Sequence, residues 1–159
     1  MELDLTATLE WIRQAEDQLV AMHDNTRDAL SLVETAGGAF TPLSPTLTCA
    51  RLAQALAPAF IVLVAPDALG VLHDVTATLL ALRASGCPVH AVVLSESRPA
   101  DASTGSNAGE LERVVFPALG SAAPACAEVF RVARGAADVG PLLAAWAACA
   151  GDAHSGGDG

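Results

Sequence analysis

Apolar positions at the start of the chain recur at helical spacing. Leu5, Leu9, Ile12, Leu19 and Met22 fall on one helix face, and Asp4 stands where a cap belongs. His23-Asp24-Asn25 closes that pattern. Residues 29–34 (ALSLVE) then read as a strand, Thr35-Ala36-Gly37-Gly38 as a turn, and residues 39–41 as a short strand stopped by Pro42. Thr46 or Thr48 caps a helix running to about residue 57.

Beyond Pro58 the pattern changes. Residues 59–65 (AFIVLVA) form a short, nearly continuous apolar run with β-branched members, as in strands covered on both faces. A long helix follows over about 70–85, with Gly86 as its C-terminal stop. Residues 88–94 (PVHAVVL) read as a second buried strand, and 95–106 as a polar loop. Asn107 caps a helix through 115, Pro117 and Gly120 mark a turn, 128–132 is a short strand, and a last helix spans about 136–150. Pro141 fits that helix only near its first turn or as a kink.

Strands alternating with helices predict an α/β fold with a three-layer parallel sheet. The expected organisation is one α/β domain over residues 1–150 and a disordered glycine-rich tail over 151–159. In such sheets ligands gather beyond the carboxyl ends of the strands. That rule selects residues 34–38, 66–73 and 95–96.

Composition narrows the chemistry. All eight cationic residues are arginine and the formal net charge is -10. Such a surface repels nucleic acid and anionic membranes. No apolar run approaches the ~20 residues of a membrane span. Residues 1–4 are acidic rather than basic, so no signal peptide is expected and a cytoplasmic protein is the default. Cys49, Cys87, Cys126 and Cys149 form no C-x-x-C pair and lie at no ligand spacing from a histidine, which disfavours zinc and predicts buried thiols. With no lysine, the chain holds no G-x-x-x-x-G-K-T phosphate loop.

Glu34 ends an apolar run before Gly37-Gly38. A carboxylate there can hold magnesium beside phosphate oxygens, and glycines let backbone approach a ligand. From these residues alone, an ordinary strand end with a turn behind it is the simpler account. Leu69-Gly70 leads into a helix whose open N–H groups suit a carboxylate or phosphate, although such helix starts are common. His73 and Asp74 lie in its first turn, where solvated side chains are the usual outcome. His90, inside a strand, is expected to pack or meet backbone. Ser44, Ser95 and Ser97 sit in no nucleophile motif.

Read in order, these stretches resemble the ATP-dependent dethiobiotin synthetases. VETAGGAFTPLSPTLTCARLAQAL (33–56) is similar to the family's VEGAGG-x-x-x-PLS segment and following helix. IVLVAPDALGVLHDVTATLLALRASGCPVHAVVLSE (61–96) is similar to its next strand, its LG-x-[IL]-N-H helix and its G-[VW]-V-x-N-D strand. Asn107 and the later PALG fit as well. The likeness spans about residues 3–120 and corresponds to the second half of the family's domain; the first half carries the phosphate loop, a substrate-facing lysine and a magnesium-binding aspartate.

The resemblance implies a P-loop NTPase-like parallel sheet, incomplete at its N-terminal side, with ATP and magnesium as cofactors. It implies closure of a ureido ring on diaminopelargonate with carbon dioxide, usually by homodimers, in biotin biosynthesis. It also implies site residues. Glu34 matches the magnesium-binding glutamate. Thr35, Ala36 and Gly37 belong to the nucleotide-binding turn, with Thr35 replacing a glycine. Gly70, Val71, Leu72 and His73 match the substrate-carboxylate helix start, His73 replacing asparagine and Asp74 replacing histidine. Ser95 and Glu96 replace the Asn-Asp pair at the adenine edge, where one hydroxyl stands for a paired donor and acceptor. Pro124, Ala125 and Cys126 fall near a second purine-contacting loop.

Phosphoryl transfer needs cations at the developing charge, and here there is no lysine to supply one. The expectation is a ligase-like chain inactive alone, with no catalytic residue of its own, needing a complementing P-loop half. The alternatives are a degenerate remnant or a non-catalytic α/β interaction module that uses an open sheet edge beside residues 29–34.

Overall fold

The computed structural model describes residues 4–22, 31–35, 37–96, 99–136 and 138–155, with side chains up to 148. The chain divides into two compact units, Met1–Ala57 and Pro58–Gly159.

In the first unit, helix α1 (Leu5–Met22) starts where Asp4 Oδ2 accepts from Ala7 N at 3.2 Å. Strands β1 (Pro42–Ser44) and β2 (Leu47–Thr48) pair antiparallel and lead into helix α2 (Cys49–Leu56). Thr48 caps α2, its Oγ1 accepting from Arg51 N at 3.2 Å. Ile12, Leu47 and Leu52 form the core, with Leu5, Leu9, Leu43 and Leu56 packed against them. Leu19 and Met22, expected on the same stripe, are exposed.

Two expected strands do not form there. Residues 31–35 are irregular and exposed, with Leu32 86% exposed, and residues 23–30 lie outside the described set. Among the described residues no strand pairs with 31–34, and an apolar run without a backbone partner has no ladder to join. Residues 39–40 form a turn closed by Thr41 N donating to Gly38 O at 2.9 Å, and Pro42 opens β1 instead of stopping a strand. A strand's first residue is one of the few ladder positions that proline tolerates.

The second unit is α/β. Strands β3 (Val62–Asp67), β4 (Ala91–Glu96) and β5 (Val129–Val132) make a parallel sheet in that order. β3 and β4 each start about three residues later than their apolar runs; just before them, Ile61 N donates to the His90 side chain and not to a ladder partner. β4 lies between two neighbours and is buried from Ala91 through Leu94. β3, an edge among the described strands, is only half covered, and its Val64 is 61% exposed, against the expectation of cover on both faces.

Helix α3 (Val71–Ala84) joins β3 to β4 and stops at Gly86, which takes φ 74°. A second helix runs from Asn107 to Leu119: α4 (Asn107–Glu110), a π segment (Leu111–Val115) and α5 (Phe116–Leu119). Pro117 was expected to mark a turn, yet the helix passes through it. The wider π turn, with Phe116 N bonded to Leu111 O, absorbs the missing proline donor and its ring. Gly120 then ends the helix. This helix lies against α3, while Leu142 and Ala145 of α6 (Gly140–Ser155) pack on Ala91, Val93 and Phe130. Successive strand residues face opposite ways, so the sheet is sandwiched and the three-layer expectation holds within this unit.

α6 continues to Ser155, past residue 150 where a disordered tail was expected; residues 156–159 lie outside the described set. Pro141 sits in its first turn. Among the described residues no helix is long and apolar enough to cross a membrane. Cys49 and Cys87 are buried and Cys126 is half-buried, and burial pushes the Cys87 thiol up.

Candidate functional site

The carboxyl ends of β3, β4 and β5 meet a polar loop, residues 99–106, and the start of α3. β3 ends in Asp67, whose side chain is buried at 6% exposure. Its Oδ2 accepts from Gly105 N at 2.8 Å and its Oδ1 from Asn107 Nδ2 at 2.6 Å. Thr104 Oγ1 donates to Asp67 O at 3.1 Å. Asn107, only 3% exposed, was expected to cap its helix. Its side chain reaches back to Asp67 instead, and the N-cap position is Ser106.

The turn after β3 carries Leu69 and Gly70. Leu69 N donates to Asp101 Oδ2 at 2.7 Å. Ser103 N and Oγ both donate to Asp101 Oδ1, at 2.8 and 2.6 Å. Those bonds to its charged form hold the exposed Asp101 carboxyl down at about 2. Gly70 takes φ 96° at the N-cap and a Cβ there would meet nothing within 4 Å, so the conformation alone calls for glycine. Val71 N bonds to Ala68 O at 3.1 Å. Leu72 and His73 come next, and their N–H groups find no acceptor among the described residues. His73 and Asp74 are exposed, Leu72 is half-buried, and no side chain caps this helix start. The arrangement presents two adjacent N–H donors at the positive end of a fourteen-residue helix.

At the ends of β4 and β5, Asp67, Leu94, Glu96, Arg131, Val132 and Ala133 line a shallow pocket of about 180 Å³. Ser95 Oγ donates to Ala65 O at 3.5 Å, and Glu96 Oε2 accepts from Arg134 N at 2.9 Å. Pro124, Ala125 and Cys126 are elsewhere. Ala125 N and Cys126 N donate to Val89 O and His90 O, just before β4 begins. Ser95 lies five positions further along, a rise of ~16 Å. The two expected halves of a purine site therefore sit at opposite ends of the sheet, and residues 132–134 occupy the place beside Glu96. A larger cavity of about 800 Å³, bounded by β5 and the start of α6, contains no expected site residue.

In the first unit, Glu34 and Thr35 are exposed and Ala36 lies outside the described residues. Gly37 has φ 80°, and a Cβ on it would come within 2.8 Å of Thr41 Oγ1; one on Gly38 would make only ordinary contact at 3.7 Å. Gly37 is thus required by the turn itself. No group of three or more His, Cys, Asp or Glu among the described residues could hold a metal ion. Glu34 alone would offer magnesium a single carboxylate, so most of the ion's oxygen ligands would have to come from phosphate and water.

His90 serves the sheet. Its Nδ1 accepts from Ile61 N at 2.9 Å, its ring lies 5.2 Å from that of Phe60, and burial lowers its pKa. Spacing alone assigns Asp67, Asp101 and Arg134 no specific role. The available signal is Asp67 itself, a carboxylate two residues beyond an apolar run, as Glu96 is.

Comparison with known proteins gives a consistent set of likenesses. An AAA-domain family matches residues 7–125. The ATP-dependent dethiobiotin synthetase BioD of Rhodopirellula baltica is 36% identical over 110 residues, which is 64% of this chain and 43% of that protein. The ATP-dependent dethiobiotin synthetase BioD of Caulobacter sp. (strain K31) is 46% identical over 78 residues, 49% of this chain and 34% of that protein. The chain spans less than half the length of these curated relatives. No solved structure matches.

Proposed function

The chain belongs to the AAA-domain family and is dethiobiotin synthetase-like, and from that premise we propose that it contributes the substrate end of an ATP-dependent ureido-ring closure on diaminopelargonate, in biotin biosynthesis. The observation that carries this is the pair of open N–H groups on Leu72 and His73, at the carboxyl end of the sheet and inside the matched residues. In this reading Gly70, Val71, Leu72 and His73 receive the substrate carboxylate. Ser95 and Glu96, with residues 132–134 beside them, border the nucleotide base. Glu34, on the turn with Thr35, Ala36 and Gly37, gives one carboxylate to magnesium bound with ATP. Bound magnesium would offset phosphate charge.

These 159 residues contain no lysine, so they do not complete the reaction by themselves. A P-loop-bearing segment supplies the missing cation, in the cytoplasm, whether it is joined to this chain or separate, and a second copy of the chain completes a dimer. The test is turnover of diaminopelargonate with bicarbonate, ATP and magnesium. The purified chain should show none. Adding a segment that carries a G-x-x-x-x-G-K-T loop should restore it, and Glu34→Ala should abolish the restored activity. Turnover by the 159 residues alone would overturn the need for complementation. Failure of the complemented pair to bind diaminopelargonate would overturn the substrate assignment.

One observation favours a second reading, a non-catalytic interaction module. Val64 is 61% exposed on β3, an open edge among the described strands. A complemented pair that associates stably yet neither binds diaminopelargonate nor turns over would select it.

A further inference from the structure

We infer that Asp67, Asp101 and Asn107 are positioning residues for the start of helix α3: they act on a ligand through Leu72 and His73 without touching it. This rests on the reading of the α3 start as the site for the substrate carboxylate.

A helix start that binds an anion must keep its N–H groups aimed while the preceding turn is glycine-led. Here that turn, residues 68–70, has no side-chain cap. It is held from outside instead. Asp67, just before the turn, is fixed through both carboxylate oxygens, by Gly105 N and Asn107 Nδ2. Leu69, inside the turn, is fixed by Asp101 Oδ2. Both restraints come from one segment, residues 101–107, which Thr104 Oγ1 ties a third time to Asp67 O. Asp101 is itself oriented by Ser103 and by its own N–H, which donates to Thr104 Oγ1 at 2.9 Å. The clamp thus holds the turn on either side of Ala68 and leaves the next two N–H groups unengaged. An anion at those groups then meets donors already in place, which limits the ordering cost of binding.

The test uses the full chain, 15N-labelled, with diaminopelargonate as the probe. In the unaltered chain, the Leu69 amide should be protected from hydrogen exchange, and the Leu72 and His73 amide signals should shift on titration. Asp101→Ala, at an exposed position, should speed Leu69 exchange and weaken the titration about tenfold, the worth of one aligned hydrogen bond. The Phe130 amide should stay protected, which separates a local effect from unfolding. Asp101→Asn keeps an acceptor for Leu69 and should recover part of the affinity. Asn107→Ala should act like Asp101→Ala, and if it fails to fold the Asp101 pair still decides. Unchanged exchange at Leu69 in Asp101→Ala would overturn the clamp. Faster exchange with unchanged affinity would overturn its positioning role. If the unaltered chain gives no shift at Leu72 and His73, the substrate assignment of the α3 start and the positioning role fall together, while Leu69 exchange still decides whether the clamp exists.

Discussion

Residues 29–34 (ALSLVE) and residues 91–96 (AVVLSE) are both six-residue apolar runs ending in glutamate. The second is β4, paired on both sides, with Leu94 1% exposed. The described part of the first, residues 31–34, is irregular and exposed. What separates them is supply of partners: β4 has β3 and β5 to take its backbone groups, and no described strand takes those of 31–34. A strand is a property of a pairing as much as of a run.

The largest effect that tests this contrast is a pair of truncations. Leu94→Ala should cost about 2–5 kcal/mol in urea unfolding, the usual range for a buried leucine. Leu32→Ala should fall within about 0.5 kcal/mol, as for other surface changes. Equal costs would mean that the two runs are packed alike.

The turn after Glu34 sharpens the contrast at smaller scale, because Gly37 there takes a left-handed backbone with φ 80°. Gly37→Ala should cost about 1–2 kcal/mol, since it combines a left-handed backbone with a clash at Thr41. Gly38→Ala should be near neutral. Thermal unfolding of both variants is the measurement, and a costly Gly38→Ala would show that this second glycine is constrained as well.

The smallest effect concerns pH. His90 stands one residue before β4 and its pKa is lowered by burial. Its neutral form is the one the fold favours, with Nδ1 accepting from Ile61 N. The stability it contributes is fully present above the unfolded value near ~6.5 and is lost as pH falls through the lower folded value. His90→Asn retains an acceptor and removes the titration, so its stability should fall less steeply over that range. Identical slopes would place the pH response elsewhere.

Much of the architecture was legible because local signals and tertiary structure agree. Asp4 and Thr48 cap as their positions suggest, α3 ends at Gly86, and β4 is the buried run it looks like. The rest depended on partners that spacing does not reveal. Asn107 looks like a cap, and its amide is drawn off to a buried carboxylate forty residues earlier. Residues 124–126 fall near an expected purine-contacting loop, but backbone bonds to Val89 and His90 hold them at the amino end of the sheet. β3 runs two residues past its apolar run to Asp67; the strand-end rule selects the stretch 66–73 around it, but spacing does not reveal the partners at Gly105 and Asn107 that make it the centre of the site's polar network.

The π turn ahead of Pro117 bears on how this segment tolerates changes in length. Leu111 and Phe116 are both buried, five residues apart. In an α-helix five residues sweep about 500°, which would leave the two side chains about 140° apart. The wider turn closes that gap and brings both onto one face. Deleting a single residue between them would restore an ordinary α-helix with the two side chains four residues apart, about 40° around the helix and still on one face. Adding one would put them six apart and turn them away from each other. Residues 111–115 should therefore accept a one-residue deletion more readily than an insertion.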